Sequence, residues 1–468
     1  MDIITLPSPT NVLRVAASLL SSIVERHRSD KRRAPPAVDL HPTFGFIPAE
    51  PLPSLPSNFQ AWEDALAQAP DALCLGEDKS RKALGLLTAG AEWRERMRSL
   101  RVLDTTFLET DVRLQQRAHL VLAWLVHFYA RSIPRASDDK TPILIPQSLS
   151  IPLVRISNLL GIAPVLCFSD TVLWNWEKVD PSLPFSPDNM RSRHLFSGTE
   201  DERGFYMASA RTELAGVELL EIIENFRTLP NRTDTASLLK VSKDLVRLST
   251  VIENMNDAIQ SVRNSCQPHT FYWRVRPWYK GSDADGPDGP SWLYEGVPDS
   301  HLLPLSGPSA GQSTVMHALD IFLDVDHKLE KRRQPVPSPG NKKAEHGFMH
   351  RMRTYMSRPH REYLELLDTM PLTARDLALK HTPLREPFDN AVKGLQKLRD
   401  LHMRIAVLYI LSMSKTTPPD QDPVEDCDQE RITAARRGPV RGTGGNEVSL
   451  LLKAGRDATK RTLINKHH

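Results

Sequence analysis

The sequence contains few cysteines, and none of them is spaced for a common cysteine function. Only 4 of the 468 residues are cysteine, with no CxxC pair and no CxxCH motif. They lie far apart, at Cys74, Cys167, Cys266 and Cys427. Closely spaced thiols are the signature of zinc sites and redox pairs, and CxxCH is that of covalent cofactor attachment. The sequence therefore predicts none of these, and it fits a reducing compartment.

The chain also lacks a strong charge excess and a long apolar run. Lys plus Arg total 60 and Asp plus Glu total 57, and the basic clusters at 26–33 and 330–333 are interpreted as solvated boundary segments. A nuclear signal is the weaker alternative for the first cluster. The apolar stretches 119–130 and 404–413 are too short to span a bilayer. We expect a soluble, cytosolic protein that binds neither nucleic acid nor a membrane.

Strand signals are sparse, whereas apolar residues recur at helical spacing along most of the chain. The pattern predicts an all-α protein, with long helices over Gly204–Arg227, Thr233–Cys266 and Glu386–Met413. The predicted organisation is an N-terminal arm (1–43), a small helical domain with a connecting region (44–180) and a large helical domain (181–468). A linker (331–345) and a mobile loop (414–441) are expected inside the large domain, and Trp273–Gly311 is expected to be a long loop.

One histidine interrupts an otherwise apolar stripe near the C-terminus. The stripe has steps of three or four residues, which is the spacing of one buried helix face. Its members are Phe388, Val392, Leu395, Leu398, His402, Ile405, Tyr409 and Met413. An imidazole in an apolar setting needs a partner for each ring nitrogen, and a metal can satisfy the unprotonated one. His402 is therefore a candidate metal ligand, and a hydrogen-bonded core histidine is the alternative.

Three other groups of residues are weaker candidates for chemistry. Gly307–Gly311 matches G-x-S-x-G, but no strand precedes it, so Ser309 or Ser313 is better explained as a helix cap. A possible oxygen-rich metal site lies along one predicted helix, although the chain lacks the paired Glu-x-x-His motifs of dimetal bundles. Its members are His317, Asp320, Asp324 and His327. Glu345, His346 and His350 lack the HExxH order and are interpreted as solvated residues.

Several separate stretches together resemble the indoleamine 2,3-dioxygenase family, in its order and approximate spacing. These stretches are GFYMAS (204–209), FYWRVRPWYKG (271–281), GPSAGQS (307–313), MRTYMSRPHREYL (352–364), LRDLH (398–402) and RGTGG (441–445). The resemblance runs from about Phe44 to Leu463, and the chain resembles a fungal-type member.

The resemblance implies haem b held between a small and a large helical domain, with His402 as the proximal ligand of the iron. Arg399 matches an arginine on the proximal side, and Asp320 matches its acidic partner, so a charge pair is expected beside the haem propionates. An ordinary helix–helix ion pair is the alternative. Ser309 and Ala310 of the GPSAG stretch are expected to lie against the cofactor.

The substrate side is also implied by the resemblance. Phe168, Phe205 and Phe271 would hold a flat indole, Arg276 would bind the substrate carboxylate, and Ser209 would be a weak donor. A hydroxyl bonded to its own backbone is the alternative for Ser209. Thr443 would close over the bound amino acid.

The implied reaction inserts dioxygen across the indole C2–C3 bond of L-tryptophan, or of a related indoleamine, giving N-formylkynurenine. This is the first step of the kynurenine pathway, which leads to NAD biosynthesis. A cellular reductant and a monomeric enzyme are expected. Tyr206 and Tyr272 stand where phenylalanine is usual, and the tract after Arg276 is altered. A paralogue with low tryptophan activity and a non-catalytic haem or tryptophan sensor are therefore the alternatives.

Overall fold

A computed structural model describes residues 40–136, 139–284, 289–327, 347–419, 440–443, 445 and 447–465. Residues 41–468 form one compact unit. The predicted arm up to residue 39 and the linker at 331–345 lie outside the described residues, as does most of the predicted mobile loop. The predicted division of the remaining chain near residue 180 stays a prediction. None of the described helices is both long enough and apolar enough to cross a membrane.

The first part of this unit is a group of helices around one central helix. They are α1 (Gln60–Ala72), α2 (Arg81–Gly85), α3 (Leu87–Ser99), α4 (Val112–Arg131) and α5 (Gln147–Leu160). The α4 helix begins where Asp111 accepts hydrogen bonds from Arg113 N and Leu114 N, and nearly all of its side chains are buried. The helical pattern predicted between residues 58 and 131 is therefore confirmed.

The larger part of the chain continues almost entirely as helices. They are α6 (Glu200–Ala215), α7 (Val217–Arg227), α8 (Thr235–Gln260), α9 (Val262–Ser265), α10 (Pro268–Thr270), α11 (Arg276–Tyr279), α12 (Thr314–Phe322), α13 (Phe348–Met352), α14 (Arg358–Asp368), α15 (Ala374–Lys380), α16 (Thr382–Ala406) and α17 (Val448–Thr462). Three π-helical turns, Ser169–Leu173, Phe271–Val275 and Val407–Ser412, lie between or after them. The all-α prediction is confirmed, and the strands are few and short.

Helices α8 and α16 run side by side through the core. Gly394 leaves room for the Ile252 side chain, because a β-carbon there would lie 3.3 Å from Ile252 Cγ2. Further along, the Tyr409 hydroxyl donates to the carbonyls of Val262, at 3.1 Å, and Cys266, at 2.6 Å. The predicted stripe runs along α16 and into the turn that follows it. Its first four members and Tyr409 are buried. The helix starts four residues earlier than predicted and changes to a π turn at Val407.

The described strands form two small two-stranded pieces. Strand β1 (Ile143–Ile145) pairs in parallel with β4 (Trp292–Tyr294), and β2 (Trp176–Lys178) pairs antiparallel with β3 (Met190–Ser192). Because β4 and α11 both fall within Trp273–Gly311, the prediction of one long loop there was wrong. The described residues of this stretch form a series of short elements.

Two glycines allow these short elements to cross closely. A β-carbon on Gly307 would lie 1.8 Å from the carbonyl oxygen of Tyr279, and one on Gly281 would lie 2.2 Å from that of Leu305. Both obstacles are backbone atoms, so a side chain cannot be accommodated by a rotamer change. The close approach brings the end of α11 against the Gly307–Gly311 stretch.

Replacing Gly307 by alanine should therefore destabilise the protein. The Gly307→Ala variant must separate two backbone segments, and we expect a loss of several kcal/mol, at the upper end of single-site effects (about 3 kcal/mol or more). Gly85→Ala is the matched control, because Gly85 is helical and has open space around it. Denaturant unfolding should show Gly85→Ala to be neutral or slightly stabilising. Equal stability of the two variants would contradict the crossing.

Candidate functional site

His402 lies on α16. The residue is half-buried, so part of its surface remains accessible. Within the described part of the chain, we find no hydrogen bond to either ring nitrogen. Burial, with a further contribution from the charge of Arg399, lowers the pKa of the His402 imidazole. The ring is therefore neutral at physiological pH, with a lone pair available. The His402 imidazole is neutral, partly accessible and without a hydrogen bond to the described residues. These are the properties that a histidine needs to bind a metal ion.

Arg399, one turn before His402, is held by three partners. Its guanidinium donates to Asp320 Oδ1 at 2.5 Å, to the Gly455 carbonyl at 3.0 Å and to the Thr459 hydroxyl. Burial would raise the pKa of Asp320, but the charges of Arg399 and His327 hold this pKa below its ordinary value. Asp320 is therefore ionised, and the expected charge pair is present. It connects α12, α16 and α17.

Two predicted substrate-side rings, Phe205 on α6 and Phe271 in a π turn, contact each other directly. Their centroids are 4.6 Å apart with an interplanar angle of 37°. Phe271 also packs edge-on against Tyr409, at 5.8 Å, and Tyr279 lies 6.2 Å from Phe205. A planar ring cannot enter between rings this close. We call these four rings the aromatic wall; a flat ligand would lie against it.

Ser209 follows Phe205 by one helical turn. Its hydroxyl donates to the Phe205 carbonyl at 3.2 Å, which is the local backbone bond considered as the alternative for this serine.

Glu213 lies one turn further along α6 and was not identified from the sequence. It is 5% exposed. Glu213 Oε1 accepts from the Ser313 hydroxyl, whereas Oε2 is buried and has no hydrogen-bond partner among the described residues. Burial raises the pKa of Glu213 to about 7.

Arg276 and Thr443 are brought to the same region by backbone contacts of the RGTGG stretch. The buried Arg276 guanidinium donates to the Arg441 carbonyl and lies 5.5 Å from the centre of the Tyr272 ring. Thr443 donates its hydroxyl to the Pro308 carbonyl at 2.5 Å and accepts at its own carbonyl from Gly307 N at 3.0 Å. The GPSAG stretch, the RGTGG stretch and Arg276 therefore meet at one place.

Phe168 precedes the first π turn and is buried. Asp170 fixes this turn: its Oδ2 accepts from Cys167 N at 2.8 Å, and its Oδ1 lies 2.8 Å from His119 Nδ1. The Phe168 N–H donates to Gln312 Oε1, also at 2.8 Å. Gln312 belongs to the GPSAGQS stretch, but its role depends on a contact 144 residues away, so no local pattern could show it.

Ser309 and Ser313 both act as caps, as the sequence suggested. The Ser309 hydroxyl accepts from Gly311 N in a 3₁₀ turn, and the Ser313 hydroxyl accepts from Met316 N at the start of α12. Ala310, between them, is exposed. Ser309 and Ala310 therefore border open space. Their contact with a cofactor stays a prediction.

The alternative metal sites are dispersed. His317 pairs with the Gly311 carbonyl, and Asp320 lies between Arg399 and His327. Asp324 faces Arg375 at 3.6 Å. No group of three His, Cys, Asp or Glu side chains suited to a metal ion occurs among the residues that the structure describes. Glu345 and His346 lie outside those residues.

Glu213 generates a prediction about stability and pH. Its pKa is about 7 when folded, against an ordinary 4.5, so the unfolded chain ionises this carboxyl first as the pH rises. Stability should therefore fall between pH 4.5 and 7, by up to about 3 kcal/mol. Glu213→Gln keeps the acceptor for Ser313 and removes this loss. Urea unfolding should show that the variant gains stability relative to the parent at pH 8 but not at pH 4.5.

The control for this experiment is Glu253→Gln, which removes one acidic residue from an exposed position of α8. A Glu213→Gln variant whose stability relative to the parent does not change with pH would show that Glu213 ionises alike in both states.

Comparison with known proteins identifies the family of this chain. The family model for indoleamine 2,3-dioxygenase matches residues 35–462. The chain is 29% identical to indoleamine 2,3-dioxygenase 1 of Mus musculus over 422 residues, covering 90% of this chain and 93% of that protein. It is 27% identical to the indoleamine 2,3-dioxygenase of Saccharomyces cerevisiae over 466 residues, covering 93% and 95%. A third relative, indoleamine 2,3-dioxygenase acdA of Aspergillus candidus, is 28% identical over 440 residues, covering 90% and 95%. The chain therefore belongs to the indoleamine 2,3-dioxygenase family, whose proteins are haem-iron dioxygenases.

Proposed function

We propose that this protein adds both atoms of dioxygen across the indole C2–C3 bond of L-tryptophan, giving N-formylkynurenine. The observation that carries the proposal is the neutral imidazole of His402, held in the interior without a hydrogen bond to the described residues. Both oxygen atoms end in the product, so the reaction consumes no net reducing equivalents. The protein is proposed to act in the cytosol as a monomer, in tryptophan catabolism.

His402 is the residue that would hold the haem iron on the proximal side. When bound, ferrous haem b supplies the activation of dioxygen, and a cellular reductant maintains the ferrous form. The fixed position of Arg399, with its bonds to Asp320, Gly455 and Thr459, sets the rotation of this part of α16. The direction in which the His402 ring points follows from that rotation.

The substrate would be oriented by the aromatic wall and by Arg276. Because Phe205 and Phe271 contact each other, the indole would lie flat against them rather than between them. Arg276 would hold the carboxylate in a charge-assisted hydrogen bond. In the structure its guanidinium already binds a carbonyl oxygen of the RGTGG stretch, so carboxylate binding and the position of that stretch are coupled.

Thr443 and its neighbours would exclude water from the bound amino acid. Gly307 N donates to the Thr443 carbonyl, and the Thr443 hydroxyl donates to the Pro308 carbonyl, so two hydrogen bonds would be exchanged if this segment moved to cover a ligand. Ser209 would add packing and polarity and would not act as a base, because its hydroxyl donates to the Phe205 carbonyl.

Replacing His402 should abolish haem retention. His402→Ala removes the only ligand that the protein is proposed to give the iron, so we expect haem retention to fall roughly tenfold or more. The measurement is Soret absorbance per protein after reconstitution and desalting. His381→Ala, at the start of the same helix, is the matched control and should retain the pigment. Equal pigment in both variants would show that another residue holds the iron.

Turnover distinguishes an oxygenase from a sensor of haem or tryptophan. The haem-loaded protein, reduced without oxygen and then given tryptophan and dioxygen, should form N-formylkynurenine, detected as kynurenine after acid hydrolysis. Arg276→Ala should keep the haem and raise the KM for tryptophan roughly 10- to 100-fold, because a charge-assisted hydrogen bond is lost.

The control for this variant is Arg274→Ala, two residues earlier, in the π turn that precedes α11, and exposed. It should leave the KM unchanged. No product from fully loaded, reduced parent protein would refute the dioxygenase and favour the sensor.

A further inference from the structure

Gln312 is a buried amide that joins two distant segments of the candidate site. It is 2% exposed. Its Oε1 accepts from Phe168 N at 2.8 Å, and its Nε2 donates to the Gly307 carbonyl at 3.0 Å. The Met352 sulfur lies 3.8 Å from the same nitrogen. The carboxamide is therefore satisfied at both ends, by segments that lie far apart in the sequence.

The connection continues from Gly307 to the RGTGG stretch. Gly307 N donates to the Thr443 carbonyl at 3.0 Å, and the Thr443 hydroxyl donates to the carbonyl of Pro308. Phe168 on one side and Thr443 on the other are thus linked through one side chain and one short backbone segment. The family resemblance implies that both Phe168 and Thr443 contact the substrate.

Only a side chain with both an acceptor and a donor can make this connection. A carboxylate of the same shape would accept from Phe168 N but would repel the Gly307 carbonyl, and a hydrocarbon side chain would satisfy neither. When a buried N–H or carbonyl is left without a partner, the folding free energy that is lost exceeds the net contribution of one hydrogen bond. Glutamine satisfies both partners without any change of protonation, whereas a carboxyl side chain could satisfy both only when protonated.

We propose that Gln312 is a positioning residue, which holds Phe168 and the Thr443 segment in one arrangement before the substrate binds. This proposal rests on the proposed function, because it assumes that both segments form the substrate pocket. Gln312 is not a catalytic residue: it acts through Phe168 and Gly307. It raises the affinity for the substrate, because a pocket that is already ordered loses less conformational entropy on binding.

The chain offers a matched control for an ordinary buried glutamine. Gln115 on α4 is also buried, and its Nε2 donates to the carbonyls of Leu108, at 3.0 Å, and Glu109, at 2.9 Å. Its partners belong to the first group of helices and not to the candidate site. Replacing either glutamine therefore removes two buried hydrogen bonds. Only the replacement of Gln312 would affect the substrate pocket.

The test compares Gln312→Glu, Gln312→Met and Gln115→Glu in the full haem-loaded chain. For both Gln312 variants we expect the KM for tryptophan to rise roughly three- to tenfold, with kcat within about twofold. Hydrogen–deuterium exchange without substrate should be faster in peptides covering 165–170 and 440–447. Gln115→Glu should leave the KM unchanged and increase exchange only around residues 106–116. The Met variant adds no charge, which keeps the test informative if the Glu variant folds poorly.

Two results would overturn the positioning role. One is unchanged exchange at 165–170 and 440–447 in both Gln312 variants, and the other is an equal effect of Gln115→Glu on those peptides. The exchange measurement needs no turnover, so it decides the positioning role even if the parent protein forms no product. Failure of the proposed function and failure of this proposal are therefore distinguishable.

Discussion

The arrangement of the candidate site depends on how α16 holds an imidazole inside the protein without pairing it to another described side chain. Apolar side chains pack one face of this helix, and Arg399 adds directional bonds to the helices beside it. Its guanidinium donates to Asp320 on α12 and to two oxygen atoms on α17. A buried charge pair is costly to form unless further hydrogen bonds satisfy it, as they do here. His402 lies one turn beyond this fixed point on the same helix.

The same helix also reaches the substrate side of the site. Beyond His402 it changes to a π turn, and Tyr409 in this turn packs on Phe271 while its hydroxyl binds two carbonyl oxygens near the end of α8. A π turn adds one residue per turn and so rotates the following side chains relative to a continuous α-helix. Tyr409 lies inside this turn and contacts the aromatic wall. Helix α16 and the wall are therefore parts of one packed unit.

Features of local origin could be predicted from the sequence, whereas those that depend on distant contacts could not. The apolar spacing of α16 and the serine caps at positions 309 and 313 are local, and the structure shows both. The π turns could not be foreseen, because they depend on packing and not on periodicity. The contact between Gln312 and Phe168 and the burial of Glu213 were also missed. Each of these depends on a neighbour about a hundred residues away or more.

The resemblance to a family supplied the identities of the candidate residues, but the structure changes how two of them are understood. Phe205 and Phe271 contact each other directly and are not two sides of a slot, so no flat ring can enter between them. Arg276 is already engaged with the RGTGG stretch, so a carboxylate that binds there must share or displace that contact. Neither point follows from the residue types alone, since both depend on the distances between segments.

Two tyrosines that replace the usual phenylalanines have different consequences. The Tyr206 hydroxyl donates to Glu202 Oε1 at 3.1 Å, and Glu202 also accepts from the backbone N–H groups of Phe196 and Ser197. Its polar atom is thereby engaged in a buried network beside the aromatic wall, so this replacement adds support to the wall rather than a polar group for the substrate. The Tyr272 ring instead lies 5.5 Å from the Arg276 guanidinium carbon. Phenylalanine would offer a similar cation–π face, so this replacement keeps the contact with Arg276.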